Sequence, residues 1–165
     1  MRKEDLNRIM EYKNNDPFIR IFDFLRFCLK EDAKEPTSLE DMDWDELYAF
    51  GNKQAILGVL FHGIKKLSDS PHRPNKQQIL KWYAACSFIE QANKQAYKDA
   101  SALTILLQEK YGVHGCVLKG QTNALMYPDP YMRTSGDIDL WTDAKTLDII
   151  RISRQLDPKG EIGYH

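Results

Sequence analysis

Asp137-Ile138-Asp139-Leu140-Trp141 opens with alternating polar and apolar residues, the mark of a strand with one wet face. Residues i and i+2 of a strand share a face. The carboxylates of Asp137 and Asp139 are then expected side by side, with Ile138 and Leu140 turned towards a core. Like charges held that close repel, unless a cation sits between them. A hard divalent ion, Mg2+ or Mn2+, takes oxygen ligands and is commonly shared with substrate phosphates. Two such ions about 4 Å apart clamp the attacking and leaving oxygens of a phosphoryl-type transfer. The plain alternative is a solvated strand edge carrying two ordinary aspartates.

Upstream, Cys116-Val117-Leu118 is a short apolar run closing in Lys119-Gly120, which reads as a buried strand and a tight turn. Glycine directly after a strand lets a phosphate approach the backbone. A short helix over Thr122 to Tyr127 would offer free N–H groups to that anion, and Lys119 would add charge. No GxxxxGK[ST] run is present, so this is not a P-loop. Pro128 and Pro130 bound a loop through Gly136 that carries Arg133, Thr134 and Ser135. An arginine there suits bidentate contact with triphosphate oxygens. A simple turn at Gly120, and an Arg133 that only pairs with the acidic strand, are the plain alternatives. Thr142 or Asp143 is expected to cap a last helix bearing Ile149, Ile152 and Leu156, before Pro158-Lys159-Gly160 turns the chain.

Everything before Gly112 reads as helix. Asp16-Pro17 is a start signal, followed by Phe18, Ile21, Phe22, Leu25, Cys28 and Leu29 at helical spacing. A linker with Pro36 follows. Asp43-Trp44-Asp45-Glu46 has the form of a capping box, opening a helix to about Lys53. A second short helix holds Ile56, Leu57, Leu60, Phe61 and Ile64, and Ser68 to Pro74 breaks it. A long helix is predicted from about Asn75 to Lys110. Its stripe of Ile79, Trp82, Cys86, Ile89, Ala96, Ala100, Leu103 and Leu107 has one gap near Asn93. Trp82, Phe88 and Tyr97 read as packing residues and His62 as a core histidine.

The 165 residues include 23 Lys and Arg against 24 Asp and Glu, a formal charge of -1. That balance disfavours a long nucleic acid as partner. No apolar run is long enough for a bilayer, and the first residues, Met1 to Asp5, contain no signal-peptide core. Cys28, Cys86 and Cys116 are far apart. They read as reduced, mostly buried thiols of a cytoplasmic protein.

The order strand, Lys-Gly turn, short helix, Arg, then Ser-Gly-Asp-Ile-Asp-Leu-Trp resembles the catalytic opening of the polymerase-beta-type nucleotidyltransferase superfamily. Val117-Leu118-Lys119-Gly120, Leu125-Met126-Tyr127-Pro128, Arg133 and Asp137-Ile138-Asp139-Leu140 are similar to an uncharacterised bacterial nucleotidyltransferase family with an LKG…Y…R…DIDL pattern. The resemblance implies metal binding by Asp137 and Asp139. It implies a triphosphate held near Lys119, Gly120, Thr122, Arg133 and Ser135. Gln121 stands where that superfamily's turn has Ser or Gly, so Thr122 is the substitute hydroxyl. The superfamily's third carboxylate has no convincing counterpart: Glu161 falls in a turn after the last helix. The expectation is therefore a chain truncated before that strand, with an exposed sheet edge that favours a homodimer.

The expected fold is α+β, with a helical N-terminal region over residues 1–111 and a partial polymerase-beta-like α/β core over 112–165. The expected activity is transfer of NMP from an NTP, ATP first, to an unknown acceptor hydroxyl with Mg2+. Two rivals stay open: a non-catalytic nucleotide-binding module, and a helical protein-interaction module in which DxD is incidental.

Overall fold

Pro17 fixes φ and needs no partner for a missing N–H, so it suits a first helical turn. In the computed structural model, which describes residues 17–134 and 136–159, helix α1 spans Pro17–Leu29. Asp16, its expected cap, lies outside the described residues. Its last carbonyls are not left bare. Lys66 Nζ donates to Phe27 O at 2.8 Å and to Lys30 O at 2.6 Å, supplying donors that a helix C-terminus lacks.

Asp43 caps α2 (Trp44–Lys53) by accepting from the backbone N–H groups of Asp45 and Glu46. The predicted box is thus formed on its Asp43 side. The complete reciprocal box occurs instead at Asn75 and Gln78, and it starts the long helix. Helix α3 (Leu57–Lys66) lies between. Phe24 meets Trp44 edge-on at 5.4 Å, and Tyr48 meets Trp82 at 5.1 Å. These rings belong to the larger core, built on Phe24, Leu39, Leu47, Leu60, Leu67 and Trp82. Helices α1 and α3 touch where Gly63 lies under Cys28. A Cβ on that glycine would sit 2.2 Å from the thiol sulfur.

Helix α4 (Lys76–Tyr111) has 36 residues and is about 54 Å long at 1.5 Å per residue. Gly112 ends it at φ 65, a left-handed conformation that glycine takes without steric cost. Strand β1 (Gly115–Leu118), the five-residue helix α5 (Gly120–Ala124), strand β2 (Asp139–Thr142) and helix α6 (Thr146–Leu156) follow. The strands pair antiparallel, with Cys116 opposite Trp141 and Leu118 opposite Asp139. A second, smaller core joins Leu107 of α4 to Val113 and Ile152, with Leu140 and Ile149 at its edge. The described chain is therefore α+β, as expected, with α4 contributing to both cores. Among the described residues no helix is long and apolar enough to cross a membrane.

Several expectations need correction. β1 is not buried: Cys116 and Leu118 are exposed. The two-stranded sheet has its smaller core on one face only, and alternation turns these residues to the other. Trp141 shares that open side and is 57% exposed, whereas Trp44 and Trp82 are buried at 7% and 1%. Phe88 is 74% exposed, so it is no packing residue. Asp143 does not cap α6, whose N-cap is Lys145. It accepts from the His114 backbone N–H at 2.9 Å and lies 3.0 Å from His114 Nδ1. These contacts hold its carboxyl below the usual range. His62 is half-buried rather than a core residue.

Candidate active site

β1 ends at Leu118 opposite Asp139, so the turn after β1 and the start of β2 fall at the same end of the sheet. Lys119 takes φ 48 and ψ -122 there, a region L residues rarely occupy. The unusual dihedral thus falls on the lysine rather than on Gly120. Lys119 Nζ lies 3.8 Å from Asp139 Oδ2, with the two side chains 73% and 39% exposed. In water such a pair contributes little to stability. It does place a cation against the carboxylate.

The strand begins at Asp139, so Asp137 precedes it and is exposed. The strand expected from Asp137 therefore starts two residues later, at Asp139. The Asp137 backbone still approaches the turn. A Cβ built on Gly120 would be 3.8 Å from Asp137 O and 3.9 Å from Arg133 Nη1. Gly120 is thus the point where the turn, the Arg133 loop and the acidic segment meet. Both contacts are at ordinary van der Waals range, so a Cβ at this position would meet no clash. Among the described residues, Arg133 pairs with neither aspartate, which removes the plain alternative for it. Thr122 is exposed and its Oγ1 donates to Val117 O at 3.3 Å, so the hydroxyl would have to turn from that carbonyl to donate to a phosphate oxygen. Ser135 and Glu161 lie outside the described residues.

Two aspartates offer oxygen ligands, and no group of three His, Cys, Asp or Glu exists among the described residues. Mg2+ or Mn2+ holds to one or two carboxylates and completes its shell with water and substrate phosphate. The ammonium of Lys119 beside Asp139 shows that this carboxylate accepts a cationic neighbour.

Residues 40–155, more than half of the chain, match the model of a family described as an uncharacterised nucleotidyltransferase. The chain belongs to that nucleotidyltransferase family. No curated protein and no solved structure matches it. The matched region of this nucleotidyltransferase runs from just before α2 into α6, so it takes in most of the helical part as well as the turn and DxD.

That helical part holds the site in place through residues that motif reading passes over. Asn93 of α4 is buried and donates from Nδ2 to Ile89 O at 3.1 Å, to Tyr131 O at 2.7 Å and to Arg133 O. One turn on, Tyr97 donates its hydroxyl to Gln121 O at 2.9 Å and packs edge-on against Tyr131. From α3, Gly58 lies directly beneath Met132: an added Cβ would be 2.0 Å from Met132 O. Gln121 is buried, and among the described residues its side-chain amide has no hydrogen-bond partner. The one available signal was the gap at Asn93: a polar residue in an apolar stripe has to find partners.

Proposed function

We propose that this nucleotidyltransferase-family chain binds a nucleoside triphosphate, ATP first, and transfers its NMP to an acceptor hydroxyl. The observation that carries the reading is the meeting at Gly120 of the turn after β1, the Arg133 guanidinium, which has no acidic partner among the described residues, and the backbone of the acidic segment. Arg133 would bind phosphate oxygens through its planar fork, and Lys119 would add a point charge. Gly120 would let the phosphate approach the backbone, with Thr122 and Ser135 as further hydroxyl partners. Asp137 and Asp139 would hold Mg2+ or Mn2+, which supplies neutralisation of charge developing on the phosphate oxygens. The new bond joins the acceptor oxygen to the α-phosphorus, the hydroxyl proton passes to solvent water, and the bond from that phosphorus to the bridging oxygen breaks, releasing pyrophosphate. Most of the acceleration would come from fixed charges aimed at the transferring group.

Titration of ATP into the protein by calorimetry tests this, with Mg2+, with EDTA, and with Asp139→Asn. Saturable binding is expected with Mg2+, falling roughly tenfold or more in the variant and in EDTA. Equal binding in all three would remove the assignment. A binding-only reading also has an observation in its favour, since no group of three or more candidate metal ligands occurs among the described residues. Pyrophosphate release over a panel of hydroxyl acceptors separates the two.

A further inference from the structure

We infer that Asn93 is a positioning residue for Arg133, so that the long helix sets the phosphate-facing loop before a nucleotide arrives; this rests on the nucleotide-binding reading above. Asn93 is only 3% exposed and sits in the one gap of an otherwise apolar stripe. Asparagine is a poor helix-interior residue, and a buried amide is costly unless bonded. Its amide nitrogen has two hydrogens. The two shortest contacts lead to Tyr131 and Arg133, 38 and 40 residues away in sequence. The longer one is to Ile89 in its own helix. The amide therefore spends its donors mainly on the loop.

Those bonds grip the backbone on both sides of Met132 and at Arg133 itself. Beneath Met132 the loop rests on Gly58 of α3, with no space for a Cβ. Asp129 accepts from the Tyr131 N–H at 3.0 Å. The backbone of Arg133 is thus fixed from α4 and α3, while its side chain reaches towards Gly120 without an acidic partner among the described residues. A binding group whose backbone is fixed beforehand loses less freedom when it engages its ligand. Only a neutral amide does this from position 93. Leucine has similar bulk and no hydrogen-bond donor. Serine would keep its bond to Ile89 O one turn back and cannot reach the loop.

The test uses the full chain with Asn93→Leu, and Asn93→Ser as the second variant should leucine fail to fold. Hydrogen exchange over residues 129–134 and the thermal midpoint are measured without ligand. MgATP affinity is then measured for the Asn93 variant, for Arg133→Ala and for the double variant. Expected are about tenfold faster exchange confined to 129–134 and about a tenfold loss of MgATP affinity. In the Arg133→Ala background the same change should cost less than about twofold. Unchanged exchange at 129–134 overturns the positioning claim whether or not nucleotide binds. Additive losses in the double variant overturn the route through Arg133. Absence of MgATP binding by the wild type overturns the nucleotide reading, and the exchange arm, which needs no ligand, still decides the placement of the loop.

Discussion

Lys119 holds a backbone conformation with φ 48 and ψ -122, which costs an L residue on the order of 1–3 kcal/mol. Glycine escapes that cost, so Lys119→Gly is expected to raise stability by about 1 kcal/mol, or a few degrees in Tm. The same change removes the ammonium beside Asp139 and should weaken MgATP binding. A variant less stable than the parent in urea would show the dihedral to be unstrained. His62 gives a prediction in pH. Burial, then Lys65 and Lys66, hold its imidazole below 6.5, against weaker opposition from Glu31 and Asp129. As pH falls below 6.5 the unfolded chain takes up the proton first, so stability is lost until pH passes the lower folded value. Urea midpoints at pH 7 and pH 5 should therefore differ less in His62→Gln than in the parent. An identical difference would place the pH dependence elsewhere. At this scale Asp137, Asp139, Lys119 and Arg133 were legible because each sits in a short local pattern. Asn93 and Gln121 were not. Their surroundings come from chain far away in sequence, and no local pattern shows which carbonyls a buried amide will meet.

Gly58 couples two elements, since its α-carbon faces Met132 O with no room for a methyl. Backbone cannot yield as a flexible side chain does. Gly58→Ala should therefore destabilise the chain by about 1–3 kcal/mol and shift the Pro130–Met132 turn, weakening MgATP binding as well. Removing the cap at Asn75 with alanine should cost about 1 kcal/mol and leave binding alone. Urea unfolding with calorimetry on both variants checks the contrast, and equal binding losses would refute it. The starts of α1, α2 and α4 and the end of α4 were readable because Pro17, Asp43, Asn75 and Gly112 act on their own turns, whereas the short helix expected over Thr122 to Tyr127 spans Gly120–Ala124. The start of β2 was not readable. A strand extends only as far as its partner, and β1 ends at Leu118 opposite Asp139, which leaves Asp137 outside the ladder although its alternation suits a strand.

The whole molecule has two cores of unequal size. The larger gathers buried side chains of α1, α2, α3 and the first half of α4. The smaller has Leu107, Val113 and Ile152 as its buried members. Opening free energy follows buried contact, so β1 and β2 should open before the helical core. Native-state hydrogen exchange is expected to show lower protection for residues 115–118 and 139–142 than for the middle of α3. Uniform protection would mean that the two cores open as one. The tryptophans fall unevenly across this division. Trp44 and Trp82 lie in the larger core, and Trp141 stands exposed on the sheet, two residues beyond Asp139 and on the same strand face. The chain therefore emits two separable optical signals. Light from the first pair is blue-shifted and shielded from a soluble quencher, while light from Trp141 is red-shifted and quenched. Binding at the proposed Asp139 site is expected to register in the quenchable component and loss of the helical core in the shielded one, so quenching of an unlabelled sample should separate a damaged site from a damaged fold.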